Sequence, residues 1–193
     1  MIYWIAYSLL WLLSKIFFPI TVDGRKHLPA GRVIIASNHV SNLDPILLGL
    51  AYQRRISYLA KDTLFKNKVF GFFLHQVSAF PIKRNSSDIG ALRQALKRLG
   101  SGDSLVMFPE GTRKGTGGPK EPQQGIGFLA VKSGVPVVPA YISGSDKVLP
   151  AGARRLTRWP VKVSFGAPLI FGDKNYEQIS SRIMQQIESL KAS

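Results

Sequence analysis

The chain has 193 residues and a formal net charge of +15, from 26 Lys and Arg against 11 Asp and Glu, and 45% of it is hydrophobic. That apolar content excludes a disordered basic tail, and the length fits one domain able to bury most of its apolar surface. There is no cysteine, which excludes disulfides, thiolate metal sites and a cysteine nucleophile, while the charge points to a polyanionic partner, either nucleic acid or an anionic membrane surface.

Residues 1–20 (MIYWIAYSLLWLLSKIFFPI) carry a single charge, Lys15. The uncharged run 1–14 is shorter than the roughly 20 residues a spanning helix needs. Tyr3, Trp4, Tyr7, Trp11, Phe17 and Phe18 are scattered through it, which suits a helix lying at headgroup depth. No positive stretch precedes the apolar run and no small-x-small cleavage pattern follows, so a signal peptide is disfavoured. The expectation is a membrane-associated helical segment over 1–20, embedded in one leaflet or forming a re-entrant pair. A helix packed into the domain's own core is the alternative. Residues 21–193 then form the α/β domain.

Strand and helix patterns alternate after Pro19. Residues 32–37 (RVIIAS) read as a buried strand. Residues 45–52 read as a helix with Asp44 as N-cap and Pro45 at its first position. Residues 56–60 predict a second strand, and 62–76 (DTLFKNKVFGFFLHQ) a helical stretch. A third strand is expected over 79–83. Residues 87–99 form an amphipathic helix, with Ile89, Leu92, Leu96 and Leu99 on one stripe. Residues 104–108 follow as a strand, 114–124 as a Gly/Pro/Lys/Gln loop, and 125–133 as a helix. The strand over 135–142 contains two prolines, which predicts an edge or irregular strand. A last strand over 161–165 and a closing helix over 176–191 complete an α/β fold: a largely parallel sheet flanked by helices.

Four segments carry candidate chemistry. His39 and Asp44 stand five apart in NHVSNLDP, just after a strand. An imidazole whose tautomer is fixed by a carboxylate is a general base, although Asp before Pro is also a routine cap. Phe108-Pro109-Glu110-Gly111-Thr112-Arg113 follows an apolar strand, at the end of the sheet where open α/β folds bind ligands. Its Arg113 offers a fork that matches phosphate oxygens, with the Thr112 hydroxyl beside it; an ordinary turn with a surface arginine is the alternative. Phe80-Pro81-Ile82-Lys83-Arg84 places a basic pair at a third strand end, either on phosphate or in solvent. Val135-Pro136-Val137-Val138-Pro139-Ala140 is an apolar run that lines an acyl-chain path or forms a core strand.

In this order, from about His39 to Gly144, these blocks resemble the glycerophospholipid acyltransferases, specifically the 1-acylglycerol-3-phosphate acyltransferases. NHxxxxD and FPEGTR are specific as a pair, FPIKR and VPVVPA less so. The resemblance implies that His39 is the general base and Asp44 its partner. It implies that Glu110, Gly111, Thr112 and Arg113, with Arg84, hold a glycerol phosphate. It also implies an acyl thioester donor, acyl-CoA or acyl carrier protein, a lysophospholipid acceptor and a phosphatidic acid product, with no metal and no other cofactor. Glycerol 3-phosphate or another lysolipid is the alternative acceptor. Lys114 after the arginine and Lys83 in FPIKR depart from the common pattern and bear on headgroup specificity. The resemblance places the protein at a membrane, on the inner face in a bacterium.

Direct transfer is consistent with the rest of the sequence. There is no G-x-S-x-G elbow, and residues 142–146 (ISGSD) are a near miss. Gly125-Ile126-Gly127-Phe128-Leu129-Ala130 matches a dinucleotide fingerprint, but that motif needs a strand directly before it, and residues 114–124 are too polar for one. Small residues on a closely packed helix are the better account. His27, His39 and His75 form no metal-ligand spacing. A non-enzyme reading remains, a basic membrane- or nucleic-acid-binding module. Arg54, Arg55, Lys61, Lys66, Lys68, Lys83 and Arg84 are interleaved with Phe65, Phe70, Phe72 and Phe73. The contiguous FGFFL cluster suits a lipid interface better than base stacking, so no nucleic acid is expected.

Overall fold

The computed structural model describes residues 2–82, 89–111, 124–150, 152–153, 155–172 and 175–192. Seven strands form one sheet: β1 (Ile20–Asp23), β2 (Ile34–Ser37), β3 (Ile56–Lys61), β4 (Ala79–Ile82), β5 (Ser104–Met107), β6 (Val137–Ser143) and β7 (Val161–Phe165), ordered β1-β7-β6-β2-β5-β3-β4. Every pairing is parallel except β6 with β7. The α/β class and the mostly parallel sheet are thus as expected. The helices are α1 (Ile2–Phe17), α2 (Asp44–Tyr52), α3 (Lys68–Gln76), α4 (Ile89–Gly100), α5 (Gly125–Ser133), the short α6 (Ser145–Val148) and α7 (Tyr176–Ser189).

Side chains alternate across a strand, and β2 shows this directly. Ile35 joins the core on the α1–α2 face with Leu47, Leu48, Val106 and Val138. Ile34 and Ala36 join the opposite core with Ala95, Leu99, Leu129, Ile183 and Ile187 of α4, α5 and α7. All four residues of β2 are buried, as a central parallel strand requires.

Three expectations are decided by the structure. First, of the two readings of the strand over 135–142 the irregular one holds and the edge one does not, since β6 lies between β7 and β2. Its prolines are tolerated by position: Pro136 precedes the strand and offers only its carbonyl, to Ile34 N–H at 3.0 Å. Between the pairs Val137↔Leu169 and Ala140↔Phe165, β6 advances three residues and its partner four. Pro139 sits at that bulge, where the ladder is interrupted and its missing N–H is not needed. Second, 62–76 is not one helix. A 3₁₀ turn over Asp62–Phe65 ends before α3, which Asn67 restarts by accepting the Phe70 N–H at 3.0 Å. Third, of the two readings of the apolar run 135–140 the core strand holds: Val137, Val138 and Ala140 are fully buried. The strand β1 was not expected; ITVD alternates, with Ile20 and Val22 inward.

The N-terminal helix α1 packs on α2. Tyr3 Oη donates to Arg54 O and accepts from Ile56 N, both at 3.3 Å, and Tyr7 Oη donates to Leu50 O at 3.3 Å. Its other side leaves Ile5, Leu9, Leu12 and Ile16 exposed, as α3 leaves Val69, Phe70, Phe72 and Phe73. Among the described residues no helix is long and apolar enough to cross a membrane.

Candidate active site

β2 ends at Ser37, and the chain then turns through His39 to the start of α2. The turn is held by Ser41, whose O accepts Asp44 N–H and whose Oγ accepts Leu43 N–H, both at 3.3 Å. The Ser41 hydroxyl in turn donates to Leu149 O at 3.0 Å. Asp44 is therefore the first helical residue, preceded by Leu43 in helical conformation, and not the N-cap that the sequence predicts. Its carboxylate looks back over the turn instead. Oδ2 lies 2.8 Å from His39 Nδ1 and accepts the N–H groups of Val40 and Ser41, each at 2.7 Å.

Three N–H donors on one oxygen fix the chemistry of the ring. Because Oδ2 accepts, Nδ1 donates, and in the neutral imidazole Nε2 keeps the lone pair. Asp44 is fully buried and His39 is 6% exposed, so the pair is almost wholly withdrawn from solvent. The pair has the geometry a general base requires, with the ring's tautomer set by the carboxylate.

The ring of Phe108 stacks on His39, centroids 4.1 Å apart and planes 19° from parallel. That stack brings the segment after β5 to the imidazole. Gly111 N–H donates to Phe108 O at 2.9 Å, closing a turn in which Gly111 has φ +66°, a conformation that favours glycine. Glu110 is buried within this turn. The structure thus joins His39, Asp44, Glu110 and Gly111 beyond the C-terminal ends of the central strands β2 and β5. Arg84, Thr112 and Arg113, together with Lys83, lie outside the described residues.

A groove of about 370 Å³ opens beside the His39–Asp44 turn, lined by Asn42, Pro45 and Ile46 together with Tyr7 and Leu10 of α1 and Phe70 of α3. No motif marks it, because its walls come from separated helices and from Tyr58, Leu59 and Ala60 of β3 and Ala79 of β4. Phe108 as the ring's partner was equally hidden; only its place at the head of FPEGTR hinted at it.

A sequence model of the family described as Acyltransferase matches residues 19–143. The chain belongs to the acyltransferase family. It is 31% identical over 175 residues to the Bacillus subtilis 1-acyl-sn-glycerol-3-phosphate acyltransferase, covering 89% of this chain and 84% of that one. The chloroplastic 1-acyl-sn-glycerol-3-phosphate acyltransferase of Brassica napus is 31% identical over 82% of this chain, which spans only 47% of that relative's length. Among solved structures it resembles the crystal structure of the 1-acyl-sn-glycerophosphate acyltransferase PlsC from Thermotoga maritima. The TM-score is 0.76 at 26% identity, covering 97% of this chain and 80% of that one.

The dinucleotide reading of 125–130 has a packing explanation. A Cβ at Gly127 would stand 2.2 Å from Tyr176 O, and Gly127 N–H donates to Ser180 Oγ at 3.3 Å. The small residues let α5 cross α7 closely.

Proposed function

We propose that the chain transfers a fatty acyl group from a thioester, acyl-CoA or acyl carrier protein, to the free sn-2 hydroxyl of 1-acylglycerol 3-phosphate, giving phosphatidic acid for phospholipid synthesis. The observation that carries this is the buried His39–Asp44 pair with Nε2 left as the base. The names of the similar proteins supply the acceptor. Nε2 takes the hydroxyl proton as that oxygen attacks the thioester carbonyl. The C–O bond forms, the tetrahedral intermediate collapses, the C–S bond breaks, and the imidazolium returns the proton to the departing thiolate. Backbone N–H groups of the Glu110–Gly111 turn are candidate donors to the oxyanion. Arg84 and Arg113, with Thr112, Glu110 and Gly111, hold the acceptor phosphate in this reading, which fixes where the hydroxyl lies. The sequence requires no cofactor for these steps, since the thioester is itself the activated acyl group.

The apolar groove beside Pro45 supports an acyl chain reaching the site, and the exposed apolar faces of α1 and α3 support an anionic membrane surface as partner. Phe70 and Phe73 line that groove, a use of aromatics that favours lipid over nucleic acid. The test is the purified protein with a panel of lysolipids and glycerol 3-phosphate, against acyl-CoA and acyl carrier protein donors, products read by mass spectrometry. Phosphatidic acid from the wild type and none from His39→Ala is expected. Wild-type turnover by folded His39→Ala overturns the mechanism. Product only from another acceptor overturns the substrate. Vesicle pelleting with anionic lipid, and none with single-stranded DNA, checks the partner.

A further inference from the structure

The strands β2 and β6 run in register from Ile34↔Val137 to Ser37↔Ala140. In that register Ile34 N–H meets the carbonyl of Pro136. Extending the same offset, Ile142 N–H would meet the carbonyl of Asn38, and Ile142 O would take the N–H of Val40. Neither bond forms. Asn38, buried at 1% exposure, turns its side chain into their place: Oδ1 accepts from Ile142 N at 2.8 Å and Nδ2 donates to Ile142 O at 2.9 Å. The Val40 N–H so released donates to Asp44 Oδ2 at 2.7 Å.

We propose that Asn38 is a positioning residue for the catalytic pair: its amide stands in for the next rung of the ladder, so that the backbone at Val40 can leave the sheet and bind Asp44. The carboxamide presents an acceptor and a donor, as a peptide group does, and meets both groups of Ile142 from one side chain. Without it, Ile142 is left with a buried N–H and C=O, and the donor that the register offers to that C=O is the Val40 N–H that now orients Asp44. Asn38 itself needs no contact with either substrate. The consequence for turnover rests on the acyl-transfer reading; the consequence for the His39 ring does not.

The experiment compares wild type, Asn38→Ala, Asn38→Asp, Asp44→Asn and the double variants. Asn38→Asp keeps the acceptor for Ile142 N–H while opposing a carboxylate to Ile142 O, and it serves if the alanine variant does not fold. The expected loss in kcat is roughly 10- to 100-fold, the scale of a small misplacement of a catalytic group, with both KM values within about 2-fold by the same reasoning. In the Asp44→Asn background the same substitution should cost less than about 3-fold, because the two residues act in one chain of contacts. Nitrogen NMR of His39 supplies a readout independent of turnover: the tautomer with the proton on Nδ1 should dominate in wild type and lose that dominance in both Asn38 variants. Equal losses of kcat in the two backgrounds overturn the proposal. So does a lowered Tm with kcat and the His39 tautomer unchanged, which would make Asn38 a purely structural residue. A shifted tautomer in a chain that transfers no acyl group would uphold Asn38 and sink the reaction.

Discussion

Asp44 should separate into two roles when it is changed in two ways. Its Oδ2 accepts from Val40 N and Ser41 N at 2.7 Å and from His39 Nδ1 at 2.8 Å, in a fully buried position. Asp44→Ala leaves both backbone N–H groups without an acceptor, at about 1–3 kcal/mol each. Ser41 is buried and Val40 only half-buried, so a total of about 4 kcal/mol is reasonable on that scale. For a domain of this size that is a fall in Tm of about 8–16 °C. Asp44→Asn can keep its carbonyl oxygen on the two N–H groups and lose mainly the charge assistance, about 1 kcal/mol and about 2–4 °C. Turnover should behave oppositely to stability. The asparagine variant, though folded, no longer supports the imidazolium, and kcat should fall about 10²–10⁴-fold. Thermal melts and a continuous thiol-release assay on the same preparations measure both. Equal melting points for the two variants, or Asp44→Asn turning over within tenfold of wild type, would refute the reasoning.

Packing and titration give further expectations. Gly127→Ala places a methyl 2.2 Å from the backbone oxygen of Tyr176, so α5 and α7 must separate, with about 1–3 kcal/mol lost in thermal melts. Gly100→Ala, which meets nothing within 4 Å, should lose nothing. Burial raises the phenol pKa of Tyr3, Tyr7 and, most strongly, Tyr58. The folded state therefore holds these protons longer than the unfolded chain. Stability should be flat in this respect below about pH 10, the ordinary tyrosine value, and fall as the pH rises beyond it. Tyr58→Phe should flatten that alkaline decline in Tm; an unchanged slope would count against Tyr58 as its source.

What the sequence discloses here depends on how far apart the partners are. His39 and Asp44 are legible because they stand only five positions apart and act on each other. The capping role assigned to Asp44 failed for a reason equally local, since the Ser41 turn lets the carboxylate fold back. Asn38 stands inside the same motif, but its function is hidden because Ile142 lies 104 residues away. The interior place of β6 was obscured by Pro139, whose cost depends on a bulge set by the partner strand. The sheet was readable from β-branched runs such as 32–37 and 161–165, whereas β1 was too short to stand out from the apolar segment before it. The groove wall is assembled from α1, α2, α3 and the strands β3 and β4, and no spacing along the chain records that.

The attachment of α1 carries a practical consequence for anyone wishing to shorten this protein. The composition invites a cut near residue 20, to discard an oily leader and keep a well-behaved enzyme. Yet the helix is fastened at both ends, by Tyr3 to the backbone at Arg54 and Ile56, and by Phe17 O to Trp159 N at 3.2 Å. Phe18 beyond it is buried in the main core. Removing the segment would strip one wall from the groove and uncover the outer side of α2, whose first residue is Asp44. The segment is thus part of the scaffold behind Asp44, and solubility gained by deletion would be taken from the candidate active site.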